Sequence, residues 1–528
     1  MNILFSTQSA GLKVLYDLFK EINKTISFEK AAFYASQSMY YGHFLKEHPD
    51  FESEHTVVKE WEIVAEAKKQ ELDTDVISEY ERAIGNPTLW DAIVCDRRLY
   101  LGRQCKVKQD YTPSFNHEEM LKVLQRAMVR FDRLLADIKP DIVLSLDPVT
   151  FGDYLLYFFC KSRKIPMLFL RTTKINKYVE FNDGIFGCSS HIYKMFQEYE
   201  ASGKSDEWTE QAERYLKEAR QSDIRYEGMI LVPSKRKKKN ARKHLLDKFV
   251  RAIKVEWEYL RHYRSDHAIP GVLLPAIYRK FVSPIKAKYH AFKYSKYYVS
   301  QKQLDAMHYA FYPLQSEPEI SSLIWGKPYM NHIENVRMIA RSLPVGMKLV
   351  VKEHPRALGY RSAGYYSKLL QVPNVMLANP NMEVRPIIKS SKMVISIATF
   401  VSFEAMIYQV PTVMLGGPRP FSILPDSMVR YVHSANDLAK EMADLMAHYE
   451  YKEKPLVHYI AATMRGSVAI DYFTALLKKE QRHGDTGESS FGNEIKKLAA
   501  YTTDRILSIF NENKELINRD EEKYGCAK

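Results

Sequence analysis

Short aliphatic runs, each leading through a loop into a stretch with apolar residues three to four apart, recur in the same order on both sides of one basic insert. That alternation of strand-sized and helix-sized text leaves few folds open, because strands separated by helices pair in parallel with crossover connections. The first half opens with a strand at 2–6, a polar turn holding Gly11, and a helical pattern through Leu12, Leu15, Leu18, Phe19 and Ile22. A second strand at 30–36 follows. Helical text fills much of 56–85 and 117–138. It stops at Lys139 because the residue before Pro140 is pushed out of helical geometry. A strand at 141–145, a helix at 154–161 and a strand at 165–170 then form a βαβ unit. The second half repeats the grammar, with strands at 308–313, 348–352, 375–377, 393–396 and 412–415. Helices are predicted at 333–342, 365–370, 384–389, 403–408, 437–448 and around 459–479. The expectation is an α/β fold of two Rossmann-like lobes with a central cleft, in which ligands bind beyond the carboxyl ends of the strands. The predicted boundaries are a first lobe at 1–232, a basic helical segment at 233–300, a second lobe at 301–480 and a polar, partly helical tail at 481–528.

Composition narrows the class. Of 528 residues, 46% are apolar and 27% charged, the balance of a globular chain and not of a disordered one. No apolar run reaches the ~18–20 residues of a membrane-spanning helix. The opening MNILFSTQSAG has no basic start before an apolar stretch, so no secretion signal is expected. Five scattered cysteines without a CxxC pair argue against a disulfide framework or a cysteine zinc site and suit a cytoplasmic protein. The net charge of +13 is concentrated: residues 233–300 hold 18 Lys or Arg against four acids, so the rest of the chain is close to neutral. The insert begins with Lys235–Lys239 and continues with aromatics such as Trp257, Phe281, Tyr289 and Phe292 among its cations. Such a mix can lie on an anionic membrane surface, or can be a solvated linker between lobes. No nucleic-acid-binding motif accompanies the charge, and nucleic acid is not an expected partner.

Three segments of the second half could carry chemistry. Lys352, Glu353, His354 and Pro355 stand at the end of the strand KLVVK, where an imidazole can donate to a phosphate oxygen or move a proton near neutral pH. A structural histidine is the alternative. Ser396, Thr399, Ser402 and Glu404 close the strand MVIS and open a helix, gathering hydroxyls and unsatisfied backbone N–H groups where an anion is favoured. Glu404 would reach ribose hydroxyls if a nucleotide phosphate sat there, whereas ordinary N-capping by Thr399 or Ser402 explains the same residues. The strand TVMLGG ends in glycines that permit close backbone approach. Gln315 and Glu319, in YPLQSEPE, offer an amide and a carboxylate for a base edge or sugar hydroxyl, or form a plain polar loop.

These segments, YPLQSEPE, LPVGMKLVVKEHPRALGYRSAGYY, VPNVMLANP and VISIATFVSFEAMIYQVPTVMLG, resemble the bacterial capsule polysaccharide biosynthesis proteins, the group that includes the β-Kdo glycosyltransferases. The resemblance covers roughly 308–418. It implies a GT-B-like fold whose C-terminal lobe holds a nucleotide-sugar donor and whose first lobe is the acceptor side. It also implies His354 at the donor phosphate, with Ser396, Thr399, Ser402 and Glu404 around phosphate and ribose. Family members often carry glycine after the threonine of the hydroxyl-rich turn, where this chain has Phe400-Val401-Ser402.

An inverting transferase also needs a group to take the acceptor's proton. Asp147, after DIVLS, is one candidate, with a helix cap as its alternative. Asp183, in Glu180-Phe-Asn182-Asp183-Gly184, is the other; that segment looks like the acidic-residue-then-glycine motif of sialyl- and polysialyltransferases, and an Asn-Asp-Gly turn explains it as well. Asp96 with Arg97 is a third candidate pair, with a surface ion pair as its alternative; Arg171, the cation at the end of the 165–170 strand, could steer an acidic sugar or a phosphate, with a solvated arginine as its alternative. The resulting expectation is a metal-independent, cofactor-free glycosyltransferase of capsule or surface polysaccharide assembly, bound peripherally at the inner face of the cytoplasmic membrane. Its donor would be a nucleotide-sugar, CMP-linked sugars included, its acceptor a glycan or glycolipid, and its partners capsule assembly or export proteins. The alternatives are a nucleotide-sugar epimerase or hydrolase, and a non-catalytic assembly or export partner.

Overall fold

The computed structural model describes residues 1–105, 107, 111–222, 226–227, 229, 250, 253–269, 271, 273–319, 321–355, 357–397, 399–416, 420–479 and 490–524. The first lobe is built on β1 (Asn2–Thr7), β2 (Lys30–Ala35), β3 (Thr56–Lys59), β4 (Ile142–Leu146), β5 (Met167–Thr172) and β6 (Tyr178–Asn182). The second is built on β7 (Tyr298–Val299), β8 (Tyr309–Pro313), β9 (Lys348–Lys352), β10 (Val375–Ala378), β11 (Met393–Ser396), β12 (Thr412–Leu415) and β13 (Val429–Val432). A last short strand, β14 (Val468–Ala469), returns to the first sheet. The strand orders are β14-β6-β5-β4-β1-β2-β3 and β13-β12-β11-β8-β9-β10-β7. All pairings are parallel except those of β6 with β5 and β14. Helices cover both faces, so strands such as Ile3-Leu4-Phe5 and Val350-Val351 can be apolar throughout and fully buried. Two doubly wound lobes meeting at a cleft give the expected GT-B-like architecture.

Each sheet reverses its strand order once, between β1 and β4 and between β8 and β11, and ligands of such sheets bind at that reversal. A glutamine spans it in both lobes. Gln8, after β1, donates to the Asp147 carbonyl at 2.9 Å, and Gln315, after β8, donates to the Ile397 carbonyl. In the first lobe the buried Asp153 completes the joint. It accepts from the Ser6 hydroxyl at 2.6 Å and from the Thr150 backbone at 3.1 Å, capping the helix Phe151–Ser162.

The sequence reading missed the strands β3, β6 and β13, which are only four or five residues long. Within the polar, partly helical tail expected at 481–528, one long helix packs on the first lobe. The helix Phe491–Tyr524 buries Ile495, Leu498, Thr502 and Ile506, three to four residues apart, and joins the first-lobe core with Leu15, Leu18 and Ile22. A further apolar cluster belongs to both lobes. Phe196, Tyr199, Tyr215 and Leu216, from the helices Ser190–Ser202 and Glu207–Gln221, meet Phe403, Met406, Met414 and Phe421 there, together with Ile460 of the helix Glu453–Arg465.

The run Lys235–Lys239 lies outside the described residues. The later part of the insert links the lobes. Asp266 accepts from the Ser38 backbone N–H and hydroxyl at 2.8 and 2.7 Å on the first lobe, and Tyr294 enters the second-lobe core. Among the described residues no helix is long and apolar enough to cross a membrane.

Candidate active site

The antiparallel pair β5–β6 sets one wall of the cleft. In its register Arg171 stands opposite Glu180, so a guanidinium and a carboxyl are neighbours across the strands. Strand alternation sends Glu180 and Asn182 to the cleft, while Phe181, between them, stacks on Tyr501 in the core with ring centroids 5.8 Å apart. Glu180 is only 7% exposed, and its Oε2 has no hydrogen-bond partner. Burial pushes its carboxyl up to about 7, against the opposing pull of the Arg171 guanidinium. Asp147, after β4, forms an ion pair with the Arg171 Nε and keeps 38% of its side chain exposed. Arg171 also donates to the Ile185 carbonyl at 3.4 Å and lies over the Trp325 ring, 5.6 Å from its centroid.

The facing wall comes from the second lobe. Trp325 crosses the gap and donates its indole N–H to the Ile185 carbonyl at 3.0 Å. Thr399, Phe400, Met414 and Phe421 line the cavity beside it, and Tyr459 and Thr463 close its base. Thr399 is the N-cap residue of the helix Phe400–Ile407, yet its hydroxyl caps nothing. Its Oγ1 is buried and has no hydrogen-bond partner. The positive end of that helix therefore opens onto the cavity beside an unpaired hydroxyl. The enclosed volume is about 160 Å³. A carboxyl poised near neutrality, a guanidinium and an open helix terminus share one partly dry space, a combination suited to moving a proton next to developing negative charge.

Of the residues expected from the sequence, Asp147, Arg171 and Thr399 come together here. Others serve the frame. Ser396 and Ser402 hydrogen-bond to each other through their hydroxyls, both fully buried, tying β11 to its helix. Gln315 is buried in its contact with Ile397, and the Lys352 ammonium donates to the Pro380 carbonyl at 2.9 Å, with burial pulling its pKa down to about 8. Glu404 is half-buried and close enough to Tyr215 to act on it electrostatically, so it faces the helix Glu207–Gln221. Glu319 and Pro355 are exposed and His354 half-buried, and none of the three lines this cavity. Asp183 faces elsewhere. It accepts from the Ser190 backbone at 2.9 Å and lines a separate hollow with Lys161, Lys164, His191 and Lys194, because β6 ends one residue earlier and the chain turns outward. Asp96 and Arg97 are no surface pair: Asp96 is a buried helix cap, and Arg97 reaches the Pro318 carbonyl at 3.0 Å. The close approach that Gly416 permits, with φ +103°, is to the backbone of Trp325 and Gly326. Gly417 lies outside the described residues.

Two of the segments named above, YPLQSEPE and LPVGMKLVVKEHPRALGYRSAGYY, meet around a buried cation. Arg361 is 0% exposed and donates to Glu353 at 2.7 Å, to Glu317, and to the Gln315 carbonyl at 2.5 Å. Tyr366 adds a hydrogen bond to Glu353 at 3.0 Å, and the Tyr365 ring lies 4.5 Å from the guanidinium. This network clamps the loops after β8 and β9 and holds His354 at the rim of the second lobe.

No family model matches the sequence, and no curated protein sequence matches it. Among solved structures, the chain is similar to the β-Kdo 2,7-transferase KpsC of Thermosulfurimonas dismutans, at 11% identity over 64% of this chain and 84% of that one, with a TM-score of 0.30. It is similar to the β-Kdo 2,4-transferase KpsC of the same organism, at 10% identity over 61% and 79%, with a TM-score of 0.33. It is also similar to the UDP-GlcNAc 2-epimerase of Neisseria meningitidis bound to UDP-GlcNAc, at 13% identity over 88% and 98%, with a TM-score of 0.27. At these scores no residue role passes from those proteins to this chain.

Proposed function

We propose that the chain is a nucleotide-sugar-dependent glycosyltransferase of surface polysaccharide assembly in which Glu180 takes the acceptor's proton. The observation that carries this reading is the buried Glu180 carboxyl, with an unpaired oxygen, on the first-lobe wall of a cavity whose opposite wall is an open helix terminus. In the proposed step the acceptor O–H bond breaks and its proton passes to Glu180. The acceptor oxygen bonds to the anomeric carbon while the bond from that carbon to the nucleotide phosphate breaks, and the electron pair leaves on the phosphate oxygen. Thr399 and the N–H groups of the helix Phe400–Ile407 stabilise that charge, with Arg171 adding to the positive field. The cavity is smaller than the ~300–1,000 Å³ of a site for a whole ligand, so it suits the reacting end of the donor. His354, at the rim, is the proposed contact for a more distant phosphate. Gln315, Lys352, Ser396 and Ser402 support the frame.

A near-neutral carboxyl also fits an epimerase or hydrolase acting on the donor alone. Incubation with CMP-, UDP- and GDP-sugars, with and without glycan acceptors, separates these readings. Turnover that requires acceptor supports the transferase, and equal turnover of donor alone replaces it with the second reading. No thermal stabilisation by any nucleotide-sugar would leave a non-catalytic assembly partner.

The acceptor is proposed to be lipid-linked. Two stripes of exposed apolar residues run along the insert at helical spacing: Val250, Ile253, Trp257 and Leu260, then Phe281, Ile285, Tyr289 and Phe292, with Trp257 68% and Phe292 84% exposed. Lysines and arginines at 279, 280, 286, 288, 293 and 296 accompany the second stripe. Exposed aromatics beside cations are the composition of a face that lies on anionic lipid, where each cation is worth ~1 kcal/mol. Vesicles containing phosphatidylglycerol should bind the protein in a salt-sensitive manner, and Trp257→Ser with Phe292→Ser should weaken that binding at least tenfold. Equal binding by the double variant removes the membrane reading.

A further inference from the structure

We propose that Glu60, Asp96 and His267 bind a divalent metal ion of the zinc or manganese type, at a site separate from the cleft. The three residues come from distant parts of the chain: Glu60 opens the helix Glu60–Ala67 after β3, Asp96 caps the helix Arg97–Leu101, and His267 belongs to the segment between the lobes. They are 0%, 2% and 1% exposed, and one potential ligand atom from each lies within 4.8 Å of the others. The His267 Nε2 stands 3.4 Å from Glu60 Oε1 and 3.8 Å from Asp96 Oδ2. Those separations exceed the ~2.7–2.9 Å of a charge-assisted hydrogen bond. They are close to the spacing between ligands that each lie ~2.0–2.2 Å from a tetrahedral ion, which is about 3.3–3.6 Å.

Unsatisfied polar atoms gather at this point. Neither ring nitrogen of His267, nor the Glu60 Oε1, has a hydrogen-bond partner. The outward oxygens are held. Tyr34 donates its hydroxyl to Glu60 Oε2, and the backbone N–H groups of Arg98 and Leu99 donate to Asp96 Oδ1 at 3.0 and 3.2 Å. Asp266 places a carboxylate oxygen 3.8 Å from the other ring nitrogen of His267. Ligands oriented through their second atoms are the usual support of a metal centre. Phe115 and Phe151 wall the histidine from solvent, with ring centroids 6.4 and 6.0 Å away.

Bound among these three side chains, a divalent cation cancels the charge of both carboxylates in a buried site and takes the place of the imidazole's proton. One nitrogen and two oxygens select a borderline or hard first-row ion over a soft one, with water completing the shell. None of the three residues lines the cleft. The ion therefore fastens the segment between the lobes to the first lobe, and the inference does not depend on the proposed transfer reaction.

The full-length protein, stripped with a chelator, is dialysed against Zn²⁺ or Mn²⁺ and its metal content measured by atomic emission, beside Glu60→Gln and His267→Ala. One ion per chain in the wild type, bound at least tenfold more weakly in both variants, supports the site. No ion above background with either metal overturns it, as does binding that survives both substitutions, and the trio is then a plain ion cluster. Should a variant fail to fold, anomalous scattering from metal-loaded wild-type crystals decides: a peak among the three side chains supports the site, and its absence there refutes it.

Discussion

The Glu180 carboxyl makes the sharpest prediction, because burial displaces it from an ordinary value of 4.5 to about 7. A base must be ionised, so turnover should rise with pH and level off above 7. One pH unit below that midpoint leaves about a tenth of the carboxyl ionised, and two units about a hundredth. Glu180→Gln should lose about 10²–10⁴ in kcat and lose the rising limb with it. Arg171 favours the charged form, so Arg171→Met should move the midpoint above 7. Stability should report the same group with a definite sign. A carboxyl whose pKa rises on folding stabilises the fold at low pH, and that contribution is lost as pH climbs through 7. At 1.36 kcal/mol per pH unit, the loss is ~3 kcal/mol in the wild type and absent in Glu180→Gln. Nucleotide release at saturating donor and acceptor reads the first effect, and urea denaturation compared between about pH 4.5 and above pH 7 reads the second. A flat rate profile with a glutamine variant that turns over within about threefold of wild type would refute the assignment.

Ser402→Ala should cost ~1–3 kcal/mol in urea denaturation, by leaving the Ser396 hydroxyl buried alone, with turnover nearly unchanged; a hundredfold fall in turnover would return both serines to the donor site. Arg361→Met should cost ~3–5 kcal/mol, because it strands Glu317 and Glu353 in the interior, and a loss below about 1 kcal/mol would mean that the network is not what holds the loops. Asp183→Ala should leave kcat within about twofold, since its carboxylate caps Ser190 outside the cleft, and a large drop would put it back among the candidate bases.

The fold was legible because parallel strands buried on both faces must be written as aliphatic runs, and DIVLS and KLVVK are such runs. Short edge elements were not. The strands at Thr56–Lys59 and Val429–Val432 are four residues long, and the former sits against helical text. The candidate site was legible in place and less so in person. Strand ends pointed to Asp147, Arg171 and Thr399. In the segment Glu180-Phe-Asn182-Asp183-Gly184 the turn aspartate is the acid that stands out in sequence. Alternation in Tyr178-Val-Glu180-Phe-Asn182 was the signal that would have selected Glu180, had the segment been taken as a strand. Ser396 and Ser402 show the opposite failure. Hydroxyls at a helix start look the same in sequence whether they face a ligand or each other, and only packing decides. Arg361 does not stand out in the sequence, because an arginine in a loop reads as solvated until folding brings Glu353 and Glu317 around it.

The apolar cluster common to both lobes governs how the cleft can admit a bulky donor. Prising the lobes apart at that seam would bare Phe403, Met406, Leu216, Tyr215, Ile460 and Phe196, all buried. At ~1.5–3 kcal/mol per large apolar side chain, the cost is on the order of 10 kcal/mol, comparable to the whole stability of an ordinary domain. Polar fasteners between the lobes, such as Trp325 to Ile185 and Lys327 to Asp91 and Tyr154, can by contrast let go one at a time.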